Sequence, residues 1–564
     1  MPRPPLNLVL LWHMHQPDYR DRATGEFRRP WVYLHALKDY TDMAGHFERH
    51  PGIRAVVNFV PVLLEQIEDY VGQFTSGEFR DPLLLLLARE SHENLPADTR
   101  RWLVATCFPE NHVRMVSPFP RYQRLHELYR QVLAQGDADL RYLSGSFFAD
   151  LVTWYHLVWT GETERRRQPL LAELMSRGEH FSLADRRRLL ALFGETLRNL
   201  LPRYRALAAR GQIELSTTAY THPLAPLMLD FSVAREVQPE LALPRSPVYP
   251  GGASRVAAQL GQARTTHQRC FGALPRGLWP AEGAISAAFL KSVAAADFSW
   301  TASSETVLAQ SLRRAGQSDG ARGEHLYRPW RLAGLPGLAL FFRDERLSDL
   351  IGFEYARWHG RDAAAHFVEG LARIRAELPE DEVGVVTVAL DGENAWEHYP
   401  YNAFYFFDDL YGLLEASGDI QCCGFSQYLA EHAQSVTELP ALTAGSWVYG
   451  NFSTWVGDAA KNRAWDLLCE AKQAFDLVIG SGRIGDAARE VAERQLAVCE
   501  GSDWFWWFGD YNPREAVASF DLLFRANLAE LYRRIDLPAP AQLDQPIAQG
   551  GGHPEGGGAM RRAR

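Results

Sequence analysis

The sequence predicts an α/β barrel-like domain with a helical insertion, followed by an α-helical domain. Short apolar runs typical of buried parallel strands recur along roughly the first 400 residues. Segments with helical spacing separate most of these runs, which is the pattern of strand–helix–strand units. From about residue 410 onward the helical pattern dominates.

The first unit lies near the N-terminus. "LNLVLLW" (6–12) and "IRAVVNFV" (53–60) are the apolar runs, and "WVYLHALKDYTDMAGHFERH" between them has helical spacing. A buried strand, a helix and a second buried strand begin a parallel α/β array.

A helical insertion interrupts the array. Residues 80–210 are mostly helical in pattern, with arginine-rich polar faces. Strand patterns then resume, and they are "GQIELSTTAYTH" (211–222), "LPRGLWPAEGAIS" (274–286), "DFSWTASSE" (297–305), "LALFFRD" (338–344) and "VGVVTVALD" (383–391). The series predicts one barrel-like domain over residues 1–409.

The remaining chain has a different character. Helical patterns cover 459–482, 485–500 and 513–535, which predicts an α-helical domain over residues 410–540. The glycine-rich stretch "AQGGGHPEGGGAMRRAR" predicts a flexible tail over residues 541–564.

Composition narrows the class of protein and its partners. The 564 residues carry a net charge of −10 with no long basic patch, which argues against a nucleic-acid partner. None of the six cysteines forms a CxxC pair, which favours reduced, buried thiols. We find no secretory signal pattern and no run of about 18 apolar residues, so we expect a cytoplasmic protein without a membrane partner. The oligomeric state is left open.

Polar side chains follow five of the predicted strands. They are His13, His15, Gln16 and Pro17; Tyr220 and His222; Trp279 and Glu282; Arg343 and Asp344; and Asp391, Glu393, Trp396 and Glu397. In parallel α/β barrels the active-site residues project from the carboxyl ends of the strands. The sequence therefore predicts an active site built from these strand ends.

Two chemistries fit these residue types. His13 and His15 point the same way on an extended strand, so with His222 and Asp391 they are candidate ligands of a metal-dependent hydrolase. Alternatively, Glu282 and Asp391 are the carboxylate pair of a retaining glycosidase, which needs the two carboxyl groups about 5–5.5 Å apart. Tryptophans near the strand ends suit the apolar faces of sugar rings. They are Trp279, Trp396, Trp447, Trp455 and those of "DWFWWFGDYN" (503–512).

Five segments, in order, resemble the motifs of glycoside hydrolase family 57. They are "HQP" (15–17), "GQIELSTTAYTHPLAPL" (211–227), "GLWPAEGAIS" (277–286), "TVALDGENAWEHY" (387–399) and "GSWVYGNFSTWVGDAAKNRAWDLL" (445–468). The resemblance implies an incomplete, TIM-like (β/α)7 barrel followed by a helical domain. It also implies retaining chemistry on α-glucans without a cofactor or a metal.

The resemblance also assigns roles to particular residues. Glu282 corresponds to the nucleophile and Asp391 to the general acid/base. The residues implied to bind substrate are His13, His15, His222, Trp279, Trp396 and Trp455.

The residues of these motifs are most similar to those of the amylase and amylopullulanase members. We therefore expect an α-glucan hydrolase that cleaves α-1,4 bonds, with α-1,6 cleavage left open. A 4-α-glucanotransferase is the first alternative and a glycogen branching enzyme the second. A metal-dependent hydrolase or deacetylase and an inactive glucan-binding protein remain as hypotheses of a different class.

Overall fold

A computed structural model describes residues 3–108, 111–134, 136–317, 325–554 and 558–562, with no side chains for residues 137–139. Within these residues the strands are β1 Leu6–Met14, β2 Ala55–Phe59, β3 Ile213–Thr217, β4 Gly277–Leu278, β5 Trp300–Ser304, β6 Trp330–Leu332, β7 Ala339–Arg343, β8 Val385–Asp391, β9 Ile420–Cys422 and β10 Thr437–Leu439.

Seven of these strands close into a parallel ring in the order β1-β2-β3-β4-β5-β7-β8, and β8 pairs back onto β1. This ring confirms the predicted (β/α)7 barrel. The strand β6 pairs antiparallel with β7, and β9 pairs with β1 outside the ring. Since all seven ring strands run the same way, their carboxyl ends meet at one face of the barrel.

Alternation along each strand divides the core into two parts. Val9 and Leu11 of β1 belong to the apolar cluster inside the ring, together with residues such as Trp300 and Phe341. Leu10 and Trp12 point to the opposite face and join the larger cluster between the sheet and the helices. With a period of two residues, the next inward position on β1 after Leu11 is His13.

The α-helices up to the end of the barrel are α1 Trp31–His35, α2 Thr41–Arg49, α3 Pro61–Ser76, α4 Pro82–Ala88, α5 Ala97–Cys107, α6 His112–Met115, α7 Pro120–Leu133, α8 Gly145–Val158, α9 Glu162–Arg167, α10 Pro169–Arg177, α11 Leu183–Ala209, α12 Ala225–Leu229, α13 Gly252–Phe271, α14 Ala287–Ala295, α15 Glu305–Arg314, α16 Glu345–Asp349 and α17 Gly360–Glu377. The helices α4 to α11 lie between β2 and β3, where the sequence predicts the insertion. The longest, α11, begins at a capping box in which Ser182 and Asp185 satisfy each other's backbone N–H groups.

The chain after the barrel is mostly helical. Its helices are α18 Phe404–Ala416, α19 Phe425–Glu431, α20 Ala459–Gly480, α21 Asp486–Cys499, α22 Asp503–Trp507 and α23 Arg514–Arg534. The short strands β9 and β10 also lie here, so the region contributes to the sheet as well. The domain boundaries at 409 and 540 stay predictions. Among the described helices none is long and apolar enough to cross a membrane.

Candidate active site

The carboxyl end of β1 brings two histidines to the top of the barrel. His13 is the partner of Asn58 on β2 and of Asp391 on β8, so strand register alone places it beside a carboxylate. His15 follows two residues later and lines the same cavity. The extended backbone therefore aims both rings into the barrel mouth, as the sequence predicts.

Three polar contacts fix the orientation of the His13 and His222 rings. His13 Nδ1 lies 2.7 Å from Asn58 Oδ1, and the two Nε2 atoms of His13 and His222 are 3.1 Å apart. His222 Nδ1 is 2.8 Å from Ser502 Oγ. Burial lowers the pKa of His13 to about 3 and that of His222 well below its usual value, with the His15 charge as the next cause for both. Both rings are therefore neutral at neutral pH.

Neutral rings allow the tautomers to be assigned from this network. Asn58 donates its amide to Ser216 Oγ, so its oxygen accepts from His13 Nδ1–H. His13 Nε2 is then an acceptor, and His222 Nε2–H donates to it. His222 Nδ1 in turn accepts from Ser502 Oγ–H. The relay holds both rings in place without adding positive charge to the site.

His15 lies on the other side of His222. Its Nε2 donates to Asp503 Oδ1 at 2.9 Å, and its ring stacks on that of His222 at 3.8 Å and 21°. Its Nδ1 is buried and has no partner among the described residues. One acceptor or donor site of His15 therefore remains for a substrate hydroxyl.

His15, His222 and Asp503 also form a group whose ligand atoms lie within 4.8 Å of one another. Stacked parallel rings direct their nitrogen lone pairs side by side, so they do not converge on one ion. Hydrogen bonds and ring stacking account for the contacts of this group, and its geometry is a poor fit to tetrahedral coordination.

Glu282 sits in a strained turn after β4. It has φ 58° and ψ 25°, a left-handed conformation that non-glycine residues rarely adopt, and His222 also has a positive φ of 60°. Trp447 holds the turn, because its backbone N–H donates to the Glu282 carbonyl and its Nε1–H donates to Glu282 Oε2, both at 3.0 Å. The carboxylate Oε1 lies 4.0 Å from His222 Nδ1.

Asp391 is the last residue of β8. Its Oδ2 accepts a hydrogen bond from Asn394 Nδ2 at 2.9 Å, three residues further along the chain. Strand register and this local contact are sufficient to aim the carboxylate into the barrel mouth.

Burial raises the pKa of both carboxyl groups. The pKa of Asp391 rises to about 6, while that of Glu282 lies well above its usual value, with the charge of Asp391 as the second cause. Ionising both groups is therefore unfavourable, and the pair retains one proton near neutral pH. A pair with one protonated and one ionised carboxyl group is suited to acid/base and nucleophilic work on one bond.

The cavity at the barrel mouth has a volume of about 280 Å³ and contains both carboxylates. His13, His15 and His222 line it as well. Its aromatic walls come from several parts of the chain, and they are Tyr19, Trp31, Trp159, Trp447, Trp506 and Trp507. Apolar ring faces beside carboxylates and histidines form a surface suited to sugar rings.

The three tryptophans predicted to bind substrate lie behind the cavity surface. Trp279 is fully buried inside the ring, with its ring centroid 5.1 Å from that of Trp447. Trp396 packs on Trp12 and donates its Nε1–H to the Gly392 carbonyl at 2.8 Å. Trp455 is fully buried against Trp506. None of the three lines the cavity, so in this structure they support its walls.

The family resemblance assigns no role to several residues of the cavity, among them Trp447, Asp503, Arg343 and Arg561. Trp447 belongs to the fifth motif-like segment and Asp503 to the tryptophan-rich "DWFWWFGD", and both segments stood out by composition. Arg343 follows β7, donates to Asp349 Oδ1 at 2.9 Å and lies over the Trp447 ring. Arg561 comes from the glycine-rich tail, and no sequence signal connected it with the site.

The sequence model for glycosyl hydrolase family 57 matches residues 9–440. Comparison with curated proteins gives no match.

Several solved structures share the fold. A GH57 branching enzyme from Thermococcus kodakaraensis is 17% identical over 94% of this chain and 90% of its own, with a TM-score of 0.58. An α-amylase from Thermotoga maritima is 14% identical over 95% and 94%, with a TM-score of 0.56. A 4-α-glucanotransferase from Thermococcus litoralis is 14% identical over 94% and 60%, with a TM-score of 0.50.

Proposed function

The chain belongs to glycosyl hydrolase family 57, and from this premise we propose that it is a retaining α-glucan hydrolase acting on α-1,4 bonds. One observation carries the proposal. Glu282 and Asp391, from strands on different sides of the ring, line one cavity, and the charge of Asp391 helps to raise the pKa of Glu282.

The proposed reaction has two steps. Asp391 protonates the glycosidic oxygen while the Glu282 carboxylate attacks the anomeric carbon, which forms a glycosyl-enzyme ester and releases the leaving chain. Asp391 then takes a proton from water, and the resulting attack on the anomeric carbon releases Glu282 with net retention. Productive binding must therefore leave Asp391 protonated and Glu282 ionised. The Trp447 hydrogen bond favours this state because it stabilises the charged form of Glu282.

The histidines have binding roles in this proposal. His15 Nδ1 is available to a sugar hydroxyl, while His13 and His222 are neutral and held by their relay. Neutral donors and acceptors bind hydroxyl groups without competing for the negative charge of Glu282. The aromatic walls supply stacking surfaces for the rings of the glucan.

We further propose a cytoplasmic location. All six cysteines are buried free thiols, which suits a reducing compartment.

The test compares purified protein with its Glu282→Gln variant on soluble starch, glycogen, pullulan and maltotriose. We expect new reducing ends from the α-1,4 glucans and none with the variant. Disproportionation of maltotriose into longer and shorter chains without net hydrolysis would instead indicate a 4-α-glucanotransferase. New α-1,6 branch points without new reducing ends would indicate a branching enzyme. Binding without any turnover, or activity lost in a chelator and restored by zinc, would refute the proposal.

A further inference from the structure

Residues 558–562, here called the tail strap, lie across the mouth of the active-site cavity. Ala559, Met560 and Arg561 line the same cavity as Glu282 and Asp391. The segment is anchored to the helical region on one side and to a barrel loop on the other. This position gives it direct access to bound substrate.

The anchor on the helical side is built from aromatic residues. Trp506 Nε1–H donates to the Gly558 carbonyl at 2.9 Å. The Arg561 guanidinium lies over the rings of Trp506 and Tyr511, at 4.6 and 4.4 Å, and Nη1 reaches Thr454 Oγ1 at 3.3 Å. Stacking of a guanidinium between two aromatic faces is a specific contact that lysine does not reproduce.

Gly558 is itself adapted to this anchor. Its φ is +89°, and a Cβ there would lie 2.8 Å from Asn512 Oδ1. Only glycine fits this position without strain, because a side chain would meet both the positive φ and the Asn512 oxygen.

The anchor on the barrel side is weaker. Arg562 Nη1 donates to Glu354 Oε1 at 2.7 Å, and its guanidinium lies over the Phe353 ring at 5.1 Å. The two side chains of this ion pair are 38% and 36% exposed, so water and salt screen it. The strap is therefore held firmly at one end and loosely at the other.

Arg561 lines the cavity and has one donor without a hydrogen-bond partner among the described residues. This donor is the buried Nη2. A buried guanidinium N–H without a partner is costly, and a sugar hydroxyl would satisfy it.

The volume of the cavity also limits the length of glucan that it can hold. At about 280 Å³ it lies just below the roughly 300–1,000 Å³ range of ligand pockets. The strap forms part of the cavity wall, and a cavity of this size has room for only a short stretch of sugar rings.

We infer that the tail strap sets substrate length: it closes the cleft between Trp506 and Phe353, so that chain ends and short malto-oligosaccharides bind in preference to internal segments of long glucans, and Arg561 donates to the sugar beside it. The inference rests on the proposed function. It makes Arg561 a specificity residue for α-glucan substrates.

The experiment measures kcat/KM for maltotetraose and for long amylose in four proteins. They are the wild type, Arg561→Ala, Arg562→Ala and a chain ended after Pro554. We expect the long-to-short ratio to rise about tenfold in the shortened chain, which corresponds to one charged hydrogen bond and its stacking. Arg562→Ala should move the ratio the same way by a smaller factor, and so should high salt on the wild type.

Binding is measured separately from turnover. In an Asp391→Asn background, Arg561→Ala should weaken maltotriose binding about tenfold by calorimetry. Arg489→Ala is the matched control, because Arg489 pairs with Glu493 on an exposed helix face and should change neither quantity. If the shortened chain does not fold, the point variants and the salt series carry the test.

An unchanged long-to-short ratio of kcat/KM would overturn the inference. If kcat/KM rises by the same factor for both substrates, the strap hinders all substrates alike and does not select for length. These results leave the proposed function standing, because glucans are still bound and cleaved. A wild-type protein that neither binds nor cleaves any glucan would reject the proposed function, and the inference with it.

Discussion

The two carboxylates of the cavity differ in how the chain holds them. Asp391 ends a seven-residue strand, Val385–Asp391, whose register with β1 places it beside His13. Glu282 follows a strand of only two residues, has a left-handed backbone and depends on Trp447, which is 165 positions away along the chain. One carboxylate is positioned by local secondary structure and the other by a remote tertiary contact.

This difference predicts which substitutions disturb the position of each carboxylate. Changes at a distance should disturb Glu282 much more than Asp391, because strain in a turn persists only while its surroundings hold it. Four predictions test this comparison, in order of decreasing expected effect.

The largest loss of activity is expected when Glu282 or Asp391 is removed, and azide rescue distinguishes the nucleophile from the acid/base. Glu282→Ala should lower kcat on the order of 10⁴-fold or more, and Asp391→Ala by about 10²–10⁴-fold. Azide with an activated aryl α-maltoside should rescue both, but with different products. Without Glu282, azide attacks the open β face and gives the β-glycosyl azide. Without Asp391, it displaces Glu282 from the ester and gives the α-azide.

Proton NMR of the anomeric centre distinguishes the two products. Equal configurations from both variants, or no rescue with either, would contradict the assignment of nucleophile and acid/base. The Glu397→Ala variant, which removes another of the carboxylates that line the cavity, is the control and should need no rescue.

A large effect is expected from the remote support of Glu282. Trp447→Phe keeps the ring but removes the N–H that donates to Glu282 Oε2. Losing a hydrogen bond to a charged group should lower kcat/KM by about 10- to 100-fold. The pKa of Glu282 rises further, so the acidic limb of the kcat/KM profile should move to higher pH. If the acidic limb stays at the pH at which the wild type has it, the hydrogen bond from Trp447 does not support the nucleophile.

A smaller effect is expected from the local support of Asp391. Asn394→Ala removes the hydrogen bond that lowers the pKa of Asp391, so that pKa rises above about 6. Because the acid must be protonated to act, its activity should extend to higher pH, and the alkaline limb should shift upward. The pair titrates as one unit, so both limbs are fitted together. If only the acidic limb moved, the assignment of the acidic limb to Glu282 and of the alkaline limb to Asp391 would be wrong.

The smallest catalytic effect is expected at Trp396. Its indole is buried beside Trp12 and bonded to the Gly392 carbonyl, away from the cavity. Trp396→Phe should lower the free energy of unfolding by about 1–3 kcal/mol and leave KM for maltotetraose nearly unchanged. Denaturant unfolding and steady-state kinetics measure the two quantities. A large rise in KM with unchanged stability would restore Trp396 as a substrate-binding residue.

Sequence patterns alone predict the barrel and most of the catalytic residues at its carboxyl-terminal face. Continuous apolar runs predict buried parallel strands, and polar groups after such runs must meet at one face because parallel strands share their direction. For this reason His13, His15, His222, Glu282 and Asp391 were all found from local patterns, and the structure brings them to one cavity.

Which tryptophans line that cavity depends on the packing of the whole chain. Trp279, Trp396 and Trp455 lie close to the motifs in sequence, yet each is buried behind the surface. The residues that do form the walls, such as Trp447 and Trp506, are brought there by segments far along the chain. Side-chain type indicates what a residue binds, but the face it presents depends on packing between distant elements.

Packing between distant elements also determines the position of Arg561 and the backbone conformation of Glu282. A glycine-rich sequence has no periodicity from which a contact could be predicted, and its position depends on Trp506, Tyr511 and Glu354. The positive φ of Glu282 is likewise imposed by a partner far along the chain. Short-range pattern determined the strands and their polar ends, whereas long-range packing decided the walls, the strained turn and the strap.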